Sequence, residues 1–437
     1  MAAERFRLPL YLPAQGAAEA EATIIEWFVV EGDEFQSGDV LAQIDSAKSV
    51  FDFHAPCHGR VLRRYRLESE TVAYTEPVLE IETSDPAMKE WLPPAAVAAQ
   101  AAAQPAAEQQ WRMPHAATVV LRGVGGYLPS RVVTNAELVQ AFPQLAEEYV
   151  YQVTGIRQRR WAAETEKPSD MAYAASLEAI RQAGIPLREL DAIVVATTTP
   201  DFAMPATACV LQDRLGLVGV PAFDLNAACS GWLYAVTVAQ GLILSGTARH
   251  ALVVGVELQS RFIDASDRSA WFLFGDGAGA AVLSAGEAGH RLGPTMLGAD
   301  SRGLHLARRA TPGYRLPDGS AGIDPWIRID GAALFRVATE NFIHLIRTTL
   351  ARAGWKPDQV RWVVPHQANG RILKAVARRC GIPFDRFFLN MDRLGNTSSA
   401  SIPLALAEMA PQLQPGHKLI LCSVGAGITT AALAVEW

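Results

Sequence analysis

The chain reads as an α/β protein in two halves with a small all-β unit ahead of them. Three observations predict this: a composition break at residues 93–109, an internal echo before it, and a regular alternation of apolar runs with helix-period segments after it. With 437 residues the chain is long enough for two or three domains with sizeable cores. Half of its residues are hydrophobic and 19% are charged, which excludes a disordered chain. A net charge of −6 offers no basic field for nucleic acid or an anionic membrane. No apolar run reaches the length of a transmembrane helix, and the first residues lack the layout of a secretory signal. The five cysteines (Cys57, Cys209, Cys229, Cys380 and Cys422) are odd in number and form no CxxC. Neither a disulfide framework nor a cysteine metal site is indicated, and a reducing cytoplasm is the expected location.

The first element is the β unit, expected over 1–85. "EATIIEWFVVEGDEF" and "GDVLAQIDSAKSVFDFHAP" are β-rich runs broken by Gly, Asp and Pro. Val30–Phe35 is echoed 37 residues later by Leu67–Val72, and Leu41, Gln43 and Ile44 by Val78, Glu80 and Ile81. Two similar halves predict a flattened barrel of two short sheets, with Lys48 at the turn between them. "HAPCH" holds His54, Cys57 and His58 but no fourth ligand nearby, so no metal is expected. Next comes "PPAAVAAQAAAQPAAEQ", almost entirely Ala, Pro and Gln, at the centre of a semi-extended linker expected over 86–114.

Strands and helices then alternate, and the two halves are expected over 115–290 and 291–437. "ATVVLRGVGGYLP", "LDAIVVATTTP", "VPAFDLNAAC", "HALVVGVEL" and "GAGAAVLSA" read as strands, with helices at 170–184, 205–216 and 229–246. Residues 287–325 read as loop-rich. The pattern resumes with helices at 331–353, 369–380 and 399–411 and with the strands "RWVVPH", "KLILCSVG" and "TTAALAVEW". The glycines of "GVGGYL" and "GDGAGA" lack the spacing or the following helix of a dinucleotide fingerprint.

Chemistry concentrates at three places. "AFDLNAACSGWLYA" puts Cys229 where a strand gives way to a helix, among small residues that leave room for a substrate. A helix N-terminus there is expected to favour the thiolate. "VVPHQANGRI" puts His366 at the end of an apolar strand, and "MDRLGNTSSASIPLAL" puts Asn396 in a turn before a helix. Each of His366 and Asn396 alone is weak evidence; their combination with a nucleophilic Cys229 is far more specific.

From residue 118 onward the chain resembles β-ketoacyl-acyl-carrier-protein synthase III, a thiolase-fold condensing enzyme. The resemblance rests on "GYLPSRVVTN", "TGIRQRR", "TTTPDFAMPATACVLQ", "AACSGW", "DRSAWFLFGDGAGAAVL", "DGAALFRVA", "PHQANGRI" and "GNTSSASIPLAL", in that order. It implies a thiolase-like duplicated βαβαβ layered fold, a homodimer and no metal. It also implies a catalytic trio of Cys229, His366 and Asn396, with an oxyanion held by the backbone N–H groups of Cys229 and Ala426. The reaction implied is decarboxylative Claisen condensation of an acyl group on Cys229 with a malonyl thioester on acyl carrier protein. A related possibility of the same fold is an acyltransferase that makes an ester or amide without decarboxylation. By the same resemblance Arg268 contacts coenzyme A, Arg371 docks the acidic carrier protein, and Met204 caps the partner subunit's acyl pocket. Tyr149 stands where many members place a tryptophan against adenine, and Ala426 replaces the middle glycine of a "GGG" turn. Degradative thiolases carry a second reactive cysteine where this chain has Ser423, and the elongating condensing enzymes have a second histidine where it has Asn396. The N-terminal unit, the expected lipoyl-like flattened barrel, resembles a biotinyl/lipoyl attachment domain. Lys48 in "IDSAKSVFDFHAP" is at the modification position, and its neighbours Ala47 and Ser49 favour lipoyl over biotin.

Overall fold

The computed structural model describes residues 5–13, 21–46, 50–90, 118–310 and 324–437. It divides into two compact units, Met1–Trp111 and Arg112–Trp437. Lys48 and most of the expected linker lie outside the described residues.

The first unit is two four-stranded sheets. One orders Phe6–Tyr11, Pro77–Thr83, Gly59–Arg64 and Glu34–Phe35; the other orders Val50–His54, Val40–Ser46, Glu21–Trp27 and Thr71–Ala73. The sequence echo is visible in the fold: Glu34–Phe35 and Val40–Ser46 in one repeat correspond to Thr71–Ala73 and Pro77–Thr83 in the other. Alternating residues close the interior, with Leu10, Ile24, Leu41, Ile44, Val61, Leu79 and Ile81 buried. The unit runs on through the short turn Pro86–Glu90, whose Met88 packs into the same core.

The second unit is built on a nine-stranded sheet. Its order is Ala222–Leu225, Ala192–Ala196, His250–Leu258, Asp276–Ala285, Val119–Tyr127, His290–Ala299, Thr429–Glu436, Lys418–Gly425, Val360–Pro365. The duplication is explicit in the pairing. In the first half Ala192–Ala196 runs parallel to His250–Leu258, which pairs antiparallel with Asp276–Ala285, which pairs antiparallel with Val119–Tyr127. In the second half Val360–Pro365, Lys418–Gly425, Thr429–Glu436 and His290–Ala299 repeat that sequence of directions. The halves join where His290 and Arg291 pair with Leu121 and Val120.

The strand His290–Ala299 corrects the loop-rich reading of 287–325. Gly293, Pro294 and Gly298 look like turn chemistry, and a proline removes a ladder donor. The strand absorbs them with a register shift between Leu292 and Thr295.

Two helices lie at the centre, Gly231–Leu244 and Ser401–Met409. Trp232, Leu233, Val236 and Ala239 of the first, with Ile402, Ala405 and Leu406 of the second, share one core with strands of both halves. The helix Pro168–Ala183 packs against the first half, and Gly331–Ala353 and Gly370–Cys380 against the second. The glycines of "GVGGYL" serve close packing: a Cβ on Gly125 would lie 2.3 Å from Ala175 O of the helix Pro168–Ala183.

Candidate active site

The two central helices start alike. The strand Ala222–Leu225 leads through Asn226 and Ala227 into a 3-10 turn, Ala228–Ser230, and then into the helix Gly231–Leu244. The chain after Asn396 does the same, through the 3-10 turn Ser398–Ala400 into Ser401–Met409. Each turn opens on a non-glycine residue in left-handed conformation, Ala228 and Ser398, both at φ 49°. Such a residue costs about 1–2 kcal/mol, so the surroundings must hold it. Around Ala228, Asn226 Oδ1 accepts from the Ala228 N–H, Thr429 Oγ1 donates to Ala227 O at 2.8 Å, and Ser423 Oγ donates to Cys229 O at 2.9 Å. Gly425 comes so close that a Cβ there would lie 2.8 Å from the Cys229 nitrogen. The end of one hairpin thus fixes the turn that carries the sulfur.

Asn396 is held from both sides. Its N–H donates to Leu273 O and its carbonyl accepts from the Gly275 N–H. Its side-chain Oδ1 accepts from the Ser398 N–H at 2.8 Å. The Nδ2 group is thereby left as the free end of the carboxamide. His366 follows the strand Val360–Pro365, and its backbone N–H donates to Cys422 O at 2.7 Å.

Cys229, His366, Asn396 and Ala426 line one cavity of about 1230 Å³ in the second unit. The structure therefore brings the three sequence candidates to one space. The backbones of Cys229 and Ala426 both border this cavity. Arg268 and Tyr149 line the same cavity, both exposed. Arg371 does not: it is exposed on the first turn of Gly370–Cys380, while the neighbouring Asn369 and Ile372 do line the cavity. Met204 is also outside the lining and 85% exposed, although the adjacent Phe202 and Ala203 belong to it.

Sequence reasoning missed the residue that connects the trio. Ser398 Oγ lies 3.5 Å from Cys229 Sγ and 3.3 Å from Glu257 Oε1, its N–H is bound by Asn396, and its carbonyl lies 2.8 Å from Ser401 Oγ. Ser401 Oγ in turn is 2.8 Å from His366 Nδ1. The run of serines after Asn396 was the available signal. Ser401 has a single hydroxyl hydrogen and two acceptors in reach, Ser398 O and His366 Nδ1. When it donates to Nδ1, the imidazole carries its proton on Nε2 and can act as a donor in the cavity.

Glu257, fully buried behind Ser398, is the other residue missed. Its Oε2 takes hydrogen bonds from Thr198, Thr199 and Gln259. Ser399 Oγ is 2.8 Å from Oε1 and 3.0 Å from Ala196 O. One hydroxyl hydrogen cannot serve both, so Ser399 donates either to the carboxyl or to the Ala196 carbonyl. Burial pushes the Glu257 carboxyl upward.

Burial also decides the state of the trio. It holds His366 down at about 3, so the imidazole is neutral at every working pH. It pushes the Cys229 thiol up to about 11, and the Ser398 hydrogen bond offsets only part of that. Burial thus opposes the thiolate that a helix N-terminus favours. Because the raised value favours the neutral form, the thiolate fraction grows as pH rises past the ordinary thiol range. Alkylation of Cys229 by iodoacetamide, followed by mass spectrometry, is expected to keep accelerating above pH 9. A plateau below pH 8 would show that the helix terminus dominates.

Among the described residues no group of three or more His, Cys, Asp or Glu could hold a metal ion. In the first unit His54 bonds Gly38 O and His58 bonds Ser84.

Comparison with known proteins gives these geometries a family. Residues 223–301 match the model of 3-oxoacyl-[acyl-carrier-protein (ACP)] synthase III, and residues 350–437 match the model of its C-terminal part. Residues 9–83 match a biotin/lipoyl model described as biotin-requiring enzyme. The chain is 43% identical over 327 residues to β-ketoacyl-[acyl-carrier-protein] synthase III 3 of Streptomyces coelicolor, covering 73% of this chain and 97% of that one. It is 43% identical over 317 residues to β-ketoacyl-[acyl-carrier-protein] synthase III of Laribacter hongkongensis, 72% of this chain and 98% of that one. Among solved structures, the synthase III of Thermus thermophilus superposes with a TM-score of 0.69 at 40% identity, over 73% of this chain and 99% of that one. A duplicated sheet, a cysteine at the head of one central helix and an asparagine ahead of the other have the same origin: the chain belongs to the β-ketoacyl-acyl-carrier-protein synthase III family, with a biotin/lipoyl attachment domain at its N-terminal end.

Proposed function

We propose that this chain condenses an acyl group held on Cys229 with a malonyl thioester on acyl carrier protein, losing carbon dioxide. The observation that carries the reading is the shared cavity of Cys229, His366 and Asn396, with Asn396 Oδ1 occupied and Nδ2 free. Loading exchanges one thioester for another: the Sγ–carbonyl bond forms, the donor's carbon–sulfur bond breaks, and the thiol proton ends on the departing thiol. The malonyl unit then loses carbon dioxide, and its electron pair becomes an enolate. With the single Ser401 hydroxyl hydrogen given to Nδ1 and not to Ser398 O, Nε2–H of His366 and Nδ2–H of Asn396 donate to the enolate oxygen. Neither brings a negative charge, which is why these two residue types suit the task. The carbanion attacks the thioester carbonyl, whose oxyanion is held by the N–H groups of Cys229 and Ala426. The Cys229 thiolate leaves and takes one proton from solvent, the proton that decarboxylation does not supply.

Coenzyme A thioesters are the proposed loading donors, with Arg268 and Tyr149 at the cavity mouth receiving the nucleotide. Carrier protein docks on the exposed basic face of Gly370–Cys380, where Arg371, Lys374 and Arg378 stand beside the mouth residue Ile372. The protein works as a cytoplasmic homodimer. Met204, exposed next to the lining residue Ala203, reaches the partner's acyl pocket. The test is malonyl-carrier protein labelled in its free carboxyl: labelled carbon dioxide should appear only with an acyl donor present. Ester or amide formation without it would assign the chain to the acyltransferases of this fold.

The first unit fits an attachment domain. Val40–Ser46 and Val50–His54 pair antiparallel up to Asp45 and Val50, and Lys48 lies between these two strands in the sequence. Lipoyl on Lys48 is the proposed modification, in preference to biotin. Such a group, once reduced to dihydrolipoyl, would supply a thiol on a tether, which raises its local concentration to about millimolar. Intact-mass measurement after expression in lipoylating cells should show the lipoyl increment, lost in Lys48→Arg. An unmodified chain would remove the tether from the account.

A further inference from the structure

One end of the active-site cavity holds a cation that the condensation does not use. Arg309, partly buried, lines the cavity together with Thr198, Gln259 and Phe262. Its guanidinium lies over the Phe262 ring, 3.8 Å from the centroid, and one Nη donates to Thr198 O. No carboxylate among the described residues pairs with it, in contrast to Arg328, which meets Asp264, Asp267 and Asp324. The acidic residue in the lining is Asp201, and its oxygens are taken by the N–H and hydroxyl of Ser169. The Glu257 carboxyl acts electrostatically on the guanidinium but forms no ion pair with it, does not line the cavity, and meets Thr198, Thr199, Gln259, Ser398 and Ser399 with its oxygens. Among the described residues the remaining guanidinium N–H groups have no further partner, and the space beside them is apolar, an arrangement that an anion would relieve.

The position is close to the sulfur in structural terms. Thr198 donates to Glu257, Glu257 Oε1 is within reach of Ser398, and Ser398 touches Sγ. Arg309 thus stands at the Thr198–Gln259 end, apart from Arg268 and Tyr149 at the mouth. The ring and the peptide carbonyl fix its plane, which preorganises it for a carboxylate. The anion is not the malonyl carboxylate that leaves: a guanidinium bound to that group would stabilise the state that must decompose.

Resting on the reading of Cys229 as the acyl carrier, we infer that Arg309 forms a carboxylate subsite and that the preferred loading group is an acyl chain with a distal carboxylate, the half-thioester of a dicarboxylic acid.

The test is loading of Cys229 followed by intact mass, without malonyl substrate. Glutaryl-coenzyme A and valeryl-coenzyme A supply five-carbon chains with and without the carboxylate, and succinyl and butyryl supply the four-carbon pair. Wild type should load the carboxylate member of at least one pair about 10–100-fold faster, the range of a charge-assisted bond. Arg309→Met should lower the carboxylate-to-alkyl ratio by the same factor, and Arg309→Lys should retain part of it. Faster or equal loading of both alkyl members by wild type overturns the assignment. So does an unchanged ratio in R309M. Either result leaves the condensing reading standing, because that reading needs only that some thioester acylates Cys229. Absence of loading by these four and by acetyl-coenzyme A overturns both.

Discussion

A Cys229→Ala variant is expected to accept no acyl group from any thioester and to lose condensation by about 10⁴–10⁶-fold. The size follows from the absence of a substitute. Cys209 does not line the cavity, and Cys57, Cys380 and Cys422 are buried. Burial pushes Cys380 up to about 11 and Cys422 higher still. Cys422 pairs with Ala432 inside the sheet, one residue before Ser423, whose hydroxyl supports the Cys229 carbonyl. The variant should fold, since the turn is held through backbone atoms of residues 227–229 and not through the thiol. Mass spectrometry after exposure to acetyl-coenzyme A reads the result directly, and a surviving acetyl adduct on C229A would displace Cys229 as the carrier.

Asn396→Ala is expected to lower kcat by about 10²–10³, roughly 3–4 kcal/mol of oxyanion stabilisation. It also frees the Ser398 N–H from its acceptor, with a stability cost of about 1–3 kcal/mol if that group stays unpaired. Asn396→Asp separates the two effects. Its retained oxygen keeps the Ser398 bond, but the donor is gone and a negative charge faces the enolate. N396D should therefore be at least as stable as N396A in denaturant titration and no more active. Recovery of activity in N396D would make Asn396 a scaffold for Ser398 and not a donor.

The alternation of strands and helices was legible because buried parallel strands read as continuous apolar runs, such as "AIVVA" and "HALVVGVEL". The strand His290–Ala299 was not, because Gly293 and Pro294 carry turn chemistry into a bulge that only pairing with Thr429–Glu436 stabilises. The trio was legible as motif residues. What the motifs do not contain is direction. Nothing local says that Oδ1 of Asn396 turns to Ser398, or that Ser401 sits between His366 and Ser398. Glu257 was hidden for a related reason: in "VVGVELQS" it continues a strand, and its partners Thr198, Ser398 and Ser399 come from distant loops. For Cys229 a sequence shows the helix that follows but not the burial that opposes a thiolate.

The most direct measurement is a single turnover from enzyme carrying a radiolabelled acetyl group on Cys229, freed of donor and mixed with malonyl-carrier protein. The account predicts that the label leaves the protein as a 3-oxoacyl product with one carbon dioxide released for each label lost. Carbon dioxide release with the label still on Cys229, or loss of the label as free acetate without carbon dioxide, would contradict it.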